Sequence, residues 1–509
     1  MKRNLVLIFC LSASAIQAEP TNEVDALKRQ LQEATEKFDR SLQEHRKIID
    51  DLNRRLEQVQ FAQTNGVRDQ SLVGRGATNT VEADPSQLTS AEAGLRLGTR
   101  RAYMDIGLVG TFAAGTSTAS DIEGGTQLGG HDPNQRGFTV QGVEASFSGA
   151  VDPYFRGMAN VLFSIDAGGE SFLELEEGYL ETMSLPGNLQ VRGGQFLTEF
   201  GRHNPTHPHA WAFVDTPLVN ARFLGPDGVR NPGARLSWLM PAAFYSELSL
   251  AVQNSHGETA TSFRSAGHVH DEEAEEEEVP LAFRHADNDR GLKHVDDLLF
   301  APRYAVSFDV TDTQTLLLGA SAAFGPNSRG GEGGGDTDTQ IYGLDFTWKC
   351  KPTRHQAGFP FVAWQTEAMW RKYDVGEFDW AGEEEGQIID AGTGAPALLP
   401  GETLNDYGFY TQLLYGFKPR WIAGLRFDYV KGERGDYERF NLRLDGEPLG
   451  RDLERAERWR LSPNLTWFPT EFSKLRLQYN YDDRKGIGED HSVWLQFEFI
   501  LGAHAAHKF

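Results

Sequence analysis

The feature that most narrows what this chain can fold into is a period-two alternation that recurs through residues 101–509. Met104, Ile106, Leu108, Gly110 and Phe112 interleave with Tyr103, Asp105, Gly107, Val109 and Thr111. The same pattern returns at Phe155–Ile165, Leu316–Phe324, Tyr342–Trp348, Tyr407–Phe417, Trp421–Tyr429 and Leu475–Tyr481. Successive side chains of a strand point to opposite faces, so each segment builds a sheet with two unlike faces. Lipid on one side and water on the other demand such a sheet. The connections alternate as well. Short ones are Asp152–Tyr154, Ser184–Asn188, Thr311–Thr313, Lys418–Arg420 and Pro469–Glu471; long ones are 114–137, 200–233, 254–297, 325–338, 374–404 and 432–456. Short turns at one end and long loops at the other are the outer-membrane arrangement. The segments predict an all-β transmembrane barrel over 101–509, with about sixteen antiparallel strands, a size that leaves an aqueous channel. Trp238, Trp348, Trp364, Trp370, Trp421, Trp459 and Trp467 fall near strand ends, where interfacial girdles form.

The N-terminal hundred residues read differently. Lys2 and Arg3, the apolar run Leu5–Ile16 and the small Ala15 and Ala18 have the order of a secretory signal, so residues 1–18 are expected to be removed. That leaves Cys350 as the one thiol and excludes a disulfide within the mature chain. From Val24 to Val59 apolar residues follow a heptad seam with one stutter at Phe38–Leu42, and His45 lies in the seam. Residues 21–60 are therefore expected to form an α-helical, self-associating coiled coil, and 61–100 a linker.

Charge excludes one partner class. Lys and Arg number 49 against 73 Asp and Glu, a net of −24, which repels nucleic acid. The excess concentrates in 254–297, which holds 12 acids, 4 Lys or Arg and 5 His. His256, His268, His270, Asp271, Glu272, His285 and His294 are candidate ligands there for Zn²⁺ or another divalent cation, bound weakly because nothing preorganises them. A solvated charged loop is the plainer expectation. The chain has no His-Glu-x-x-His, no phosphate-cradling loop and no Cys pair, so no enzyme is expected.

Residues 142–149, Phe155–Gly157, Leu175–Leu180 and Val191–Gly201 resemble the phosphate-selective porin O/P superfamily, in which a Gly-Gln-Phe strand ends in Phe-Gly and enters a long loop. With its N-terminal coil the chain is similar to the DcaP-like porins of that group. The resemblance implies a trimeric, sixteen-stranded channel whose loop 200–233 folds inward. Arg202, His203, His207, His209, Asp215, Arg222 and Arg230 would then border the constriction, with Glu174 and Glu176 on the acidic strand 171–182. Pro205 and Pro208 rule out a helical trio of His203, His207 and His209. No ladder of lumen arginines is apparent, and alternation places Glu174 and Glu176 on one face with Glu177 and Glu181 on the other, one pair near a strand end. A weak cation preference follows from that acidic strand.

The expected function is passive diffusion of small hydrophilic or ionic solutes through the outer membrane of a Gram-negative bacterium, with no cofactor and the coil in the periplasm. Expected partners are outer-membrane lipid, two further copies in a homotrimer, and the barrel-assembly machinery, which reads the final strand ending in Phe509. Two other readings stand beside it: a divalent-metal (zinc) capture and uptake channel built on loop 254–297, and a structural barrel that tethers periplasmic partners by its coil.

Overall fold

The computed structural model describes residues 95–98, 103–150, 152–166, 168–265, 281–285, 292–330, 337–382 and 387–502. The expected signal, the coiled coil, His268, His270, Asp271, Glu272 and Phe509 lie outside the described residues. Sixteen long strands follow one another in chain order: β1 (Tyr103–Ser117), β2 (Gly137–Ala150), β3 (Phe155–Ile165), β4 (Ser171–Thr182), β5 (Leu189–Leu197), β6 (Arg230–Leu239), β7 (Tyr245–Asn254), β8 (Leu298–Thr311), β9 (Gln314–Pro326), β10 (Asp338–Cys350), β11 (Phe361–Val375), β12 (Glu402–Lys418), β13 (Trp421–Gly432), β14 (Arg458–Thr470), β15 (Ser473–Arg484) and β16 (Gly488–Gly502). Each pairs antiparallel with the next, and β16 returns to β1 in the register Gly107↔Gly502 to Ser117↔Ser492. Closure removes every sheet edge. A short strand, Leu95–Gly98, also pairs with β1, so regular structure begins inside the segment read as linker. Among the described residues no helix is long and apolar enough to cross a membrane.

The alternation sorts side chains as the sequence requires. On β15, Lys474, Arg476, Gln478, Asn480, Asp482 and Arg484 are buried inside, while Leu477 and Tyr479 are exposed outside. Trp238, Trp364, Trp370 and Trp467 are likewise exposed. Trp421 and Trp467 stack on adjacent strands at 5.8 Å.

Register shifts occur close to the turns after β8, β12 and β14, and two others, on β4 and β2, lie within the strands that face the in-folded loop. On β4 Asn160 faces Glu177 and Val161 faces Leu175, so Glu176 is the extra residue of a β-bulge. Before it the exposed residues are Leu173 and Leu175; after it the exposed residue is Leu180. A bulge turns neighbours that alternation would separate onto the same face. All four glutamates, 174, 176, 177 and 181, therefore reach the interior, which corrects the two-face expectation. On β2 a second register shift leaves Gln141 extra, beside Gly142.

The loop 198–229 between β5 and β6 folds into the barrel. Its helix α1, Leu218–Leu224, is only seven residues, too short to persist alone. Leu218, Val219, Phe223 and Leu224 bury against Ile341, Met369, Tyr410 and Val430 of β10–β13. Each such side chain contributes about 1.5–3 kcal/mol on burial. A second apolar cluster, including Phe283, Phe378, Trp380 and Tyr437, joins the longer loops at the same end of the barrel.

Candidate functional site

The candidate site is the contact of the in-folded loop with the lumen wall, and three anchor points build it. The first is where the chain leaves β5. The amides of Arg202 and His203 donate to Glu367 Oε1 at 2.9 and 2.8 Å, and the Tyr410 hydroxyl donates to the same oxygen at 2.6 Å. Gly201 turns with φ +62°, and a Cβ there would collide with the Glu367 carboxylate. The His203 ring lies 4.7 Å from that of Trp211, with Tyr410 edge-on. Burial, with Arg426 nearby, drives His203 down to about 3, so it is neutral at ordinary pH.

The second anchor is Asp215, fully buried. Arg426 donates to its Oδ1 at 2.6 Å and Arg460 to its Oδ2 at 2.9 Å; Gln478 and Asn480 complete the shell at 2.8 and 2.7 Å. Burial opposes its charge, but the two guanidinium groups prevail and hold its carboxyl below the usual range. Arg476 beside them donates to the carbonyls of Phe213 and Trp211 at 2.9 and 2.8 Å. Arg458 and Arg484 do the same for loop 118–136, at Gly125 O and Asp121 Oδ2, both 2.7 Å. Strands β13–β15 thus carry the lumen arginine ladder that the sequence pattern seemed to lack. Their alternate spacing, Arg458–Arg460 and Arg476, was the available signal.

The third anchor joins the loop to β2 and β4. His207 Nε2 lies 2.8 Å from Glu177 Oε2, and its Nδ1 lies 3.3 Å from Glu176 Oε2 and 3.5 Å from Glu144 Oε2. His209 Nδ1 lies 3.1 Å from Glu144 Oε2. His131, from loop 118–136, approaches Glu176 at 3.4 Å and Asp227 at 3.6 Å. Burial works against charge on His131, yet those carboxylates lift it to about 9. Pro208–Ala210 is a single 3₁₀ turn, so His207 and His209 meet the wall from a bent chain.

The expected constriction residues therefore separate. Glu176, His207 and His209 converge. Arg230 pairs with Glu174 and with Glu176 at 3.3 Å. Glu181 is neutralised by Arg156 and by Arg192 at 2.9 Å. Arg222 donates to the carbonyls of Ala456 and Leu453 at 2.7 and 3.2 Å. No bare carboxylate ring remains on β4. Sequence reasoning missed Glu144, His131 and Asp227 and set Glu177 on the face opposite Glu176; the phase slip of apolar residues between Leu175 and Leu180 was the legible trace of the bulge.

Of the histidines in 254–297, the described ones stand in separate settings. The His256 carbonyl accepts from Asn231, His285 packs edge-on to Trp380 at 4.8 Å, and His294 caps the turn Val295–Asp297. Among the described residues they form no ligand cluster; Glu144, Glu176 and His207 do. Near the short turns a cavity of about 470 Å³ opens, bordered by Arg202, Lys349, Lys351, His355 and Asp312.

No protein-family model matches the chain. Among solved structures it is similar to the outer membrane channel DcaP of Acinetobacter baumannii (12% identity, TM-score 0.47, 80% of this chain and 100% of that one). It is also similar to an anion-selective porin from Comamonas acidovorans (7% identity, TM-score 0.44, 79% and 100%). An uncharacterized protein of Aquifex aeolicus (strain VF5) is 30% identical over 406 residues, which cover 75% of this chain and 73% of that protein. At that identity and coverage, the chain belongs to the same family as the Aquifex aeolicus protein.

Proposed function

We propose that the chain is an outer-membrane porin that passes small hydrophilic solutes by diffusion, without a covalent step. The observation that carries this reading is the closed sixteen-stranded wall, apolar outside and charged inside, crossed by a loop anchored to it at several sectors. A water-facing interior inside a lipid-facing wall is what a solute pathway requires. The filter is electrostatic. The acids of β4 are paired, whereas the cavity near the short turns borders on Arg202, Lys349, Lys351 and His355 against one acid, Asp312. That balance favours anions over cations, the reverse of the preference expected from the acidic strand. The native unit in this reading is a homotrimer, with residues 21–60 as a periplasmic coiled coil and Phe509 as the signal for the barrel-assembly machinery.

Planar-bilayer recording of the purified full chain tests the proposal. Discrete conductance steps with an anion-selective reversal potential in a salt gradient are expected. A protein that inserts and folds yet conducts nothing overturns the porin reading, and cation selectivity overturns the filter.

A further inference from the structure

The contact of His207 with the wall sets its Nδ1 against two carboxylates. The imidazole Nε2 faces Glu177 Oε2 at 2.8 Å, and in the tautomer with its proton there Nε2 donates to that carboxylate. Nδ1 of that tautomer presents a lone pair beside two carboxylate oxygens, Glu176 Oε2 at 3.3 Å and Glu144 Oε2 at 3.5 Å, a position that a second ring proton or a metal ion fills. Neither Nδ1 nor Glu176 Oε2 has a hydrogen-bond partner, although both atoms are buried and Glu176 is only 2% exposed. Buried polar atoms are nearly always satisfied, and the cost of leaving them bare is about 1–3 kcal/mol each. The Asn160 amide Nδ2 donates to Glu177 Oε2 at 3.3 Å and passes 3.0 Å from Nε2, and it supplies nothing to Nδ1.

We propose that a divalent cation of the Zn²⁺ class binds between His207 Nδ1, Glu176 and Glu144, and staples the in-folded loop to β4 and β2. Ligand atoms around a tetrahedral ion with bonds of about 2.0–2.1 Å stand about 3.3 Å apart, and the imidazole–carboxylate separations of 3.3 and 3.5 Å match that spacing. One imidazole with two carboxylates suits Zn²⁺, Co²⁺ or Ni²⁺. Glu177 then has the role that carboxylates commonly have behind a metal-bound histidine, fixing the tautomer and the ring. An adjoining cavity of about 30 Å³, bordered by Glu176, His207 and Arg230, has room for a water as the fourth ligand. The β4 bulge makes the site, because it brings Glu176 and Glu177 to the same side of the wall.

The test is calorimetric titration of ZnCl₂ into the full chain, stripped with chelator and held in detergent. One lumen ion per chain is expected. Glu176→Gln and His207→Gln should weaken it by about tenfold to a hundredfold or more, while migrating as folded, heat-modifiable barrels. Deleting residues 268–278 should leave that binding intact, which separates it from ions held by the acidic run. Co²⁺ in place of Zn²⁺ should give visible absorption bands that His207→Gln removes. The proposal is overturned if the folded full chain binds no Zn²⁺, or if the deletion abolishes binding and Glu176→Gln does not. Channel recordings play no part in this outcome, so it stands or falls separately from the porin reading.

Discussion

Asp215 and His207 lie eight residues apart on the same loop, and the barrel receives them in opposite ways. Asp215 enters a wall of donors and finds four, so both carboxylate oxygens are satisfied. His207 enters a wall of acceptors and leaves one nitrogen facing two oxygens. The Asp215 anchor is complete within the polypeptide; in the proposal above, the His207 anchor is completed by a metal ion. A buried ion pair is costly to break from one side, because the partner's charge stays behind without its counter-charge. Permanent attachment and conditional attachment thus coexist on one loop.

The comparison breaks most sharply at Asp215. Asp215→Ala leaves Arg426 and Arg460 facing an emptied position and should loosen the loop by about 3–5 kcal/mol. Larger, noisier single-channel conductance and new protease cleavage within 198–229 are the readouts; unchanged conductance would show that the arginine wall is not what holds the loop. Next in size is Leu218→Ala in α1, which removes a wholly buried side chain from the lumen cluster. The expected loss is about 2–5 kcal/mol, visible in the same recordings but without any change in salt dependence.

Acid sharpens the contrast further. His203 is a base whose folded value is depressed to about 3, below its ordinary 6.5. The released loop therefore takes up a proton that the docked loop refuses. Docking is fully supported above pH 6.5 and loses about 1.4 kcal/mol per pH unit as the pH falls from there towards 3. Arg426, Asp215, Glu367 and Tyr410 surround that ring, and none of them supplies it an acceptor for a second proton. His203→Phe keeps the ring contacts and should flatten this part of the conductance–pH curve; an unaltered curve assigns the acid response elsewhere. The smallest effect is expected at the cavity near the short turns. Lys349→Glu with Lys351→Glu should move the reversal potential towards cation preference with little effect on stability, since partly exposed charges contribute about 0–1 kcal/mol.

Much of the wall was legible in the chain. Period-two segments and alternating loop lengths follow from local rules, because a lipid-facing strand must expose apolar residues at every second position; the inward loop after Phe200-Gly201 was implied by the family resemblance alone. The site was harder for a physical reason. A bulge adds one residue and reverses every later assignment on its strand, so Glu177 and Glu181 were set on the face opposite Glu174 and Glu176 once Glu176 was counted as an ordinary position. The arginines of β13–β15 alternate cleanly, but their partners, Asp215, Gly125 and Thr126, come from distant loops. Pairings of that kind depend on how loops pack, and periodicity is silent about them.

The docking of Asp215 also has a consequence for assembly. Its bonds to Arg426, Arg460, Gln478 and Asn480 span 211 to 265 residues of chain. The loop is synthesised early, and the strands that neutralise it arrive near the end. Closing so long a span has an entropic cost and comes late in folding. A nascent or truncated chain without β13–β15 therefore carries an unpaired carboxylate at Asp215 on a loop that lacks its arginine wall. Such a segment invites chaperones and proteases, whereas the finished cylinder hides it. Loop docking at Asp215 is thus completed only in chains that contain the last strands.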